Sequence, residues 1–369
     1  TPMQFIIDIL VAGLMAYLSF TNYLAVGIEN LFGAEEPAPT ESASIEEAKA
    51  DTVSAEPTRL ESIFARIPDI LKRSAEYQKA TVIESTTAVA TPTTNPEAAI
   101  VNIYCTFVTE RTIRTTTGTG FVISEDGIIL TNAHVAQFLL LEASGALGES
   151  TCTIRTGSPA APRYVAELLY IPPAWVSEHA SLIDATSPSG TGERDYALLH
   201  ITKSVDDAPL PAKFTALPLY DGQLTKNAIR GEVIAAGYPA VYAAGDTDTN
   251  LRTRSATTSV SELFTFGKQD VDVLALRGSS MGQQGSSGGP VVNADGYVIG
   301  MIATRGNDAA DGPGSLRAIT IDHINRTITE ETNASLNQHL SGDITSRAQI
   351  FATTMTPFLT NLLTEEIEQ

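Results

Sequence analysis

Two adjacent serines, Ser286 and Ser287, stand in the stretch GQQGSSGGPVV, Gly282 to Val292. A serine hydroxyl attacks a carbonyl carbon only with a general base within reach and with N–H donors aimed at the oxygen that becomes negative. Glycine-serine runs are ordinarily plain connectors. This one stops at Gly288-Gly289-Pro290 and passes at once into Val291-Val292, which ties a tight loop to a buried element. The base, and a group to orient it, must come from elsewhere in the chain. His134 follows the apolar run in GIILTNAHVA, and Asp195 opens another in ERDYALLHI. A lone histidine at a strand end is more often structural than reactive. A carboxylate at the mouth of a buried strand is costly unless something donates to it, and a histidine N–H is one such donor.

The elements that must bring these residues together begin at Ile100. Short runs rich in Val, Ile, Thr and Tyr recur between Gly, Pro, Asn and Asp: IVNIYCTFV, GTGFVIS, GIILT, STCTIR, RYVAELLYI and YALLHI. After DAPLPAKFTALPL a second series follows: GEVIAAGYP, RSATTSVSEL, VDVLALRG, GPVVNADGYVIGMIAT and RAITID. Strands at this spacing without long helices between them imply an all-β barrel or sandwich, and two series imply two barrels. Gly118 and Gly120 precede one strand of the first series.

The flanks differ in kind. Residues 3–28 are apolar and long enough to cross a bilayer, which takes about 20 such residues. No Lys or Arg precedes the run, so residues 1–32 read as an uncleaved transmembrane anchor, with a signal peptide or a buried helix as the rival readings. The first positive residue is Lys49, so the positive-inside rule gives no orientation. Residues 33–57, rich in Glu, Ala, Pro, Ser and Thr, form an acidic tether that cannot bury a core. Residues 58–80 carry Leu60, Ile63, Phe64, Ile67, Ile70 and Leu71 at helical spacing, an amphipathic helix that Pro68 kinks or divides. A second linker spans 81–97, the barrels 98–330, and a helical extension 331–369 with a break at Pro357. The extension and the helix before the barrels are expected to pack on neighbours.

TNAHV, RDYALLHI and GSSGGP resemble, in order, the histidine, aspartate and serine motifs of the trypsin-like serine proteases, closest in style to the bacterial HtrA (Deg) branch. The similarity runs from about Ile100 to Ile324. Each motif alone is weak; three in the right order on a two-series β background are specific. The resemblance implies two six-stranded antiparallel barrels of the chymotrypsin fold and a serine endopeptidase. Ser287 would be the nucleophile, His134 the base, Asp195 the group that fixes the imidazole tautomer, and the Gly285 and Ser287 N–H groups the oxyanion hole. Met281, six residues before the nucleophile, would lie at the base of the primary specificity pocket, with Ala303 and Thr304 on one wall. Met281 is not acidic, so a small or medium apolar side chain is expected there rather than Lys or Arg, with Arg305 a solvated charge at the rim. Cys105 and Cys152 would lie on neighbouring strands of this family's barrel. Either they are bridged, which the chain-entropy model values at about 4 kcal/mol, or they are two buried thiols. A bridge would favour an oxidising compartment, consistent with a membrane-anchored domain facing the periplasm or cell surface.

The chain departs from the HtrA pattern in one respect: too few residues follow His323 for a PDZ domain, so recognition of a peptide C-terminus is not expected. The segment PPAWVSEHASLIDATSPSGTGER before Asp195 reads as an enlarged loop in which Trp175 is a packing anchor.

Composition narrows the rest. A net charge of −20 with no basic stripe argues against a nucleic-acid partner. Two cysteines outside any CxxC or Cys/His cluster argue against structural zinc. No metal, nucleotide or organic cofactor is expected, since the chemistry requires none. The partners expected are polypeptide substrates and, through the N-terminal helix, a membrane; an oligomer stays open. GSSGG also fits the nucleophile elbow of α/β-hydrolases, but that fold needs an acid and then a histidine after the serine, and only His323 and His339 follow, in a helical tail. A catalytically silent binding scaffold is the alternative from another class, against which stands the presence of all three residues.

Overall fold

The computed structural model describes residues 78–79, 95–108, 113–144, 149–184, 191–240, 250–267 and 270–367. The expected anchor over 1–32 and tether over 33–57 lie outside them, as does the expected helix over 58–80 save its last residues. Those last residues are extended: Gln78–Lys79 form strand β1. Among the described residues no helix is long and apolar enough to cross a membrane.

Six strands follow a short 3-10 turn, Pro96–Ala98. They are β2 (Ile100–Val108), β3 (Ile113–Val122), β4 (Ile128–Thr131), β5 (Glu149–Thr156), β6 (Ala161–Tyr170) and β7 (Ala197–Ser204). All pair antiparallel and close into a barrel in the order β2-β3-β4-β7-β6-β5. β3 begins five residues before the GTGFVIS run, because its threonines are as compatible with a pleated strand as the apolar residues that follow. Cys105 and Cys152 stand directly opposite each other in the β2–β5 ladder, with Cα atoms 4.0 Å apart, and they are bonded as a disulfide.

The second series forms β8 (Glu232–Gly237), β9 (Arg254–Thr265), β10 (Val273–Leu276), β11 (Pro290–Asn293), β12 (Val298–Arg305) and β13 (Leu316–Thr320). The ring β8-β9-β10-β13-β12-β11 closes by the pairing of β11 with β8, and β1 adds to β9 as a seventh strand. Leu274, Leu276 and Val291 belong to the core of this barrel. Their neighbours Val273, Ala275 and Val292 belong to the larger core centred on the first barrel. With both faces covered, these strands read as unbroken apolar runs, VLAL and PVV, rather than as an alternation.

Helices fill the margins. α1 (Ala133–Ala136) and α2 (Phe138–Ser144) follow β4, and α3 (Pro173–His179) with a 3-10 turn over Ala180–Asp184 occupies the enlarged loop before Asp195. Trp175 on α3 is fully buried and stacks on His179, as an anchor should. α4 (Asp308–Asp311) separates β12 from β13. α5 (Ile321–Thr332) crosses the boundary expected at 330 and is followed by α6 (Leu336–His339), α7 (Ile344–Thr354) and α8 (Thr356–Ile367). The break between the last two falls at Met355, two residues before the expected position. Pro357 thus sits in the first turn of α8, where a missing N–H costs nothing. α7 packs on β6 and α8 on α2 and α3, so the extension covers the first barrel.

The start of α5 is pinned to the second barrel. Asp272, 3% exposed, accepts from the His323 ring at 3.0 Å, from Thr265 Oγ1 at 2.9 Å, from the Phe266 N–H at 2.6 Å and from the Arg326 guanidinium. Burial disfavours its charge, but these donors more than offset that and hold the carboxyl well below the usual carboxylate range. A depressed folded-state pKa gives stability that is complete above the unfolded value, about 4, and is lost as pH falls through the folded one. Asp272→Asn is therefore expected to cost about 3 kcal/mol at pH 7, with the gap to the unmodified protein closing as denaturation is followed below about pH 4.

Candidate active site

β4 ends at Thr131, and Asn132, in extended conformation, starts α1 with His134 at its second position. α1 lies against β3 because residue 118 has no side chain: a Cβ there would fall 2.6 Å from Val135 Cγ1. Asn132 Nδ2 donates to the Asp195 backbone carbonyl at 2.9 Å. The Asp195 carboxylate, entirely buried, takes two donors from His134. One oxygen accepts the backbone N–H at 2.9 Å and the other accepts ring Nδ1 at 2.7 Å. With the proton on Nδ1 facing a carboxylate, Nε2 carries the free lone pair of the neutral ring. That nitrogen is buried and makes no hydrogen bond among the described residues, and the same holds for Ser287 Oγ.

Ser287 sits in the loop between β10 and β11, where Gly285 and Gly288 have φ of 86° and 82°. Neither position admits a side chain. A Cβ on Gly285 would meet the Tyr238 carbonyl oxygen at 2.4 Å, and one on Gly288 the Thr119 carbonyl oxygen at 2.0 Å. Amides of Gly282, Gln283, Ser286, Gly288 and Gly289 donate to backbone carbonyls. Those of Gly285 and Ser287 donate to no backbone carbonyl among the described residues.

Sequence reasoning passed over Thr119, between the two glycines it singled out on β3. The Thr119 N–H donates to the Ser287 carbonyl at 2.8 Å and its hydroxyl to the Gly285 carbonyl at 2.6 Å, while the same hydroxyl accepts the Tyr238 N–H at 2.9 Å. Its own carbonyl accepts from Thr131 Oγ1 at 2.7 Å. One first-barrel threonine thus holds both residues with free amides. The GTG pattern around it was the one local signal, since small flanking residues permit such an approach.

The three expected pocket residues are all buried. Met281 belongs to the second-barrel core with Val233, Ala235 and Leu276, so its side chain does not form an open floor. Next to it, a Cβ on Gly282 would fall 2.2 Å from the Gly314 carbonyl oxygen, which places the β12–β13 connection directly on this segment. Ala303 and Thr304 lie beneath Gly192: a Cβ on Gly192 would be 3.2 Å from Ala303 Cβ and 3.6 Å from Thr304 Cγ2. Arg305 is half-buried rather than a freely solvated rim charge. Among the described residues no cluster of His, Cys, Asp and Glu is arranged to hold a metal ion.

The family model of the trypsin-like peptidase domain matches residues 118–301, a span that contains His134, Asp195 and Ser287. The chain contains a trypsin-like peptidase domain. Its double β-barrel is the architecture that this family implies. Among solved structures, the inactive form of a serine-to-alanine mutant of Rv3671c from M. tuberculosis H37Rv is similar at 19% identity. The match covers 65% of this chain and 90% of that one, with a TM-score of 0.38. No curated protein sequence matches this chain.

Thr119→Val removes the donor to Gly285 and the acceptor for Tyr238, leaving two buried backbone groups unpaired. It is expected to lower stability by about 1–3 kcal/mol and to speed amide hydrogen exchange across residues 283–289 in the peptidase domain. Thr119→Ser, which keeps the hydroxyl, should behave as the unmodified protein in both measurements.

Proposed function

We propose that this chain is a serine endopeptidase that uses Ser287 as nucleophile, His134 as general base and acid, and Asp195 as the group that orients and charges the imidazole. The observation that carries the reading is the buried Asp195 carboxylate accepting both the backbone N–H and Nδ1–H of His134. That arrangement leaves Nε2 unprotonated and stabilises the imidazolium that forms when it takes a proton. Ser287 Oγ attacks the scissile carbonyl as its proton passes to Nε2. The oxyanion is received by the Gly285 and Ser287 amides, and collapse gives an acyl-enzyme as Nε2 protonates the leaving amine. Water, deprotonated by the same nitrogen, then releases the acid.

By the family resemblance, Ala303 and Thr304 would favour a small or medium apolar side chain at the cleavage site. The disulfide suits an oxidising compartment. With the apolar run at 3–28, this supports a membrane-anchored peptidase of HtrA style, acting on polypeptides at the periplasm or cell surface. One observation favours a second reading, a latent protease-fold scaffold: Ser287 Oγ and His134 Nε2 make no hydrogen bond to each other. Such contacts are often loose before substrate binds and tighten in the reacting complex.

Fluorophosphonate labelling of the full chain, with the modified peptide located by mass spectrometry, tests the reading. Labelling is expected at Ser287, abolished in Ser287→Ala and retained in Ser286→Ala, and His134→Ala should slow it by about a thousandfold or more. A folded sample that takes no label at all would favour the scaffold.

A further inference from the structure

We propose that α5 positions Asp195 by gripping the residue on each side of it, Glu331 holding Arg194 and Thr327 holding Tyr196. The proposal rests on the serine-peptidase reading only for its catalytic consequence; the geometry stands by itself.

Arg194 has φ of 55°, a conformation that side-chain-bearing residues rarely adopt and that persists only where surrounding contacts impose it. Its Nε lies 2.9 Å from Glu331 Oε1, and the second Glu331 oxygen accepts from the Tyr170 hydroxyl at the end of β6. On the other side of Asp195, the Tyr196 hydroxyl is hydrogen-bonded to Thr327 Oγ1 at 3.1 Å, deep in the core. Thr327 and Glu331 are four residues apart, one turn of α5, so a single helix face reaches both flanks of the carboxylate. The groups facing Glu331 are Arg194, Tyr170 and Tyr196, with Glu330 on its own helix and His339 beyond the Tyr170 ring.

The other end of α5 is fixed to the second barrel, since His323 and Arg326 both hold Asp272. The helix is therefore a strut between a buried charge on one barrel and the neighbours of Asp195 on the other. The proposed chemistry needs that spacing, because Ser287 comes from the second barrel and the His134–Asp195 pair from the first. Asp195 also makes backbone contacts of its own, accepting from Asn132 and donating to Gly192, and these place its main chain. The Arg194 and Tyr196 anchors add to these by fixing the residue on either side. Thr327 and Glu331 touch no reacting atom, so they are positioning residues.

The test is made on the full chain carrying ¹⁵N-histidine, comparing the unmodified protein with Glu331→Gln and Thr327→Val. In the unmodified protein His134 Nδ1–H should give a low-field proton resonance. In both variants that resonance should weaken as the Nδ1–H loses its carboxylate acceptor. Peptide turnover should fall about tenfold or more in kcat with KM little changed. Arg194→Lys, which retains a charge for Glu331, should recover part of both signals. A Cys105→Ser, Cys152→Ser double variant controls for general destabilisation and should leave the His134 Nδ1–H resonance in place. Variants that melt earlier but keep the His134 Nδ1–H resonance of the unmodified protein would overturn the proposal, whether or not the chain cleaves peptides. Failure of the peptidase reading would show separately, as an unmodified protein that neither takes fluorophosphonate nor turns over substrate.

Discussion

A carboxylate with no exposure to water is the constraint around which the first barrel is organised. Asp195 can keep its charge only because donors reach it, and both of its oxygens are taken by His134. Removing either partner would leave a buried charge or a buried N–H without its complement, which is far costlier than the pair is stabilising. The same two hydrogen bonds that make the aspartate tolerable also set the imidazole tautomer. One geometry thus both offsets the burial of the carboxylate and fixes the tautomer of the ring.

The second barrel meets that pair through backbone rather than through a side-chain network. Among the described residues most amides of the loop carrying Ser287 donate to backbone carbonyls, within the loop or on β12, and those of Gly285 and Ser287 do not. Such a loop has little core of its own. It is held from outside by Thr119, which spends its N–H and its hydroxyl on the carbonyls of the two residues whose amides stay free. Fixing a peptide unit through its carbonyl constrains the plane of the neighbouring N–H without occupying it. Preorganised donors of this kind are worth most when they need not reorganise as charge develops.

Much of this was legible before any coordinates. The strand runs are short local stretches of apolar and β-branched residues, and their division into two series matches the two barrels found. Less legible were the helices of the margins. FLLLEAS after His134 and PAWVSEH before Asp195 are helices of seven residues each, too short to establish a helical period in the sequence. The residues that grip the site were hard to read for a different reason. Thr119 meets Gly285 across 166 positions, with only the small residues that flank it as a local sign, and Tyr170 meets Glu331 across 161 with none.

The chain by itself determined which residue types are available, which segments can be strands, and the glycines at which the backbone must turn or be approached closely. Only the tertiary structure decided that Cys105 and Cys152 are opposite each other and bonded, that Met281 belongs to a barrel core instead of an open floor, and that α5 reaches both neighbours of Asp195. The physical reason is the range of the forces involved. Hydrophobic periodicity and backbone preference act within a few residues and leave a trace there. A hydrogen bond, a buried ion pair or a disulfide depends on apposition to within a fraction of an ångström, which is a property of two barrels closed and packed and of no single stretch of sequence.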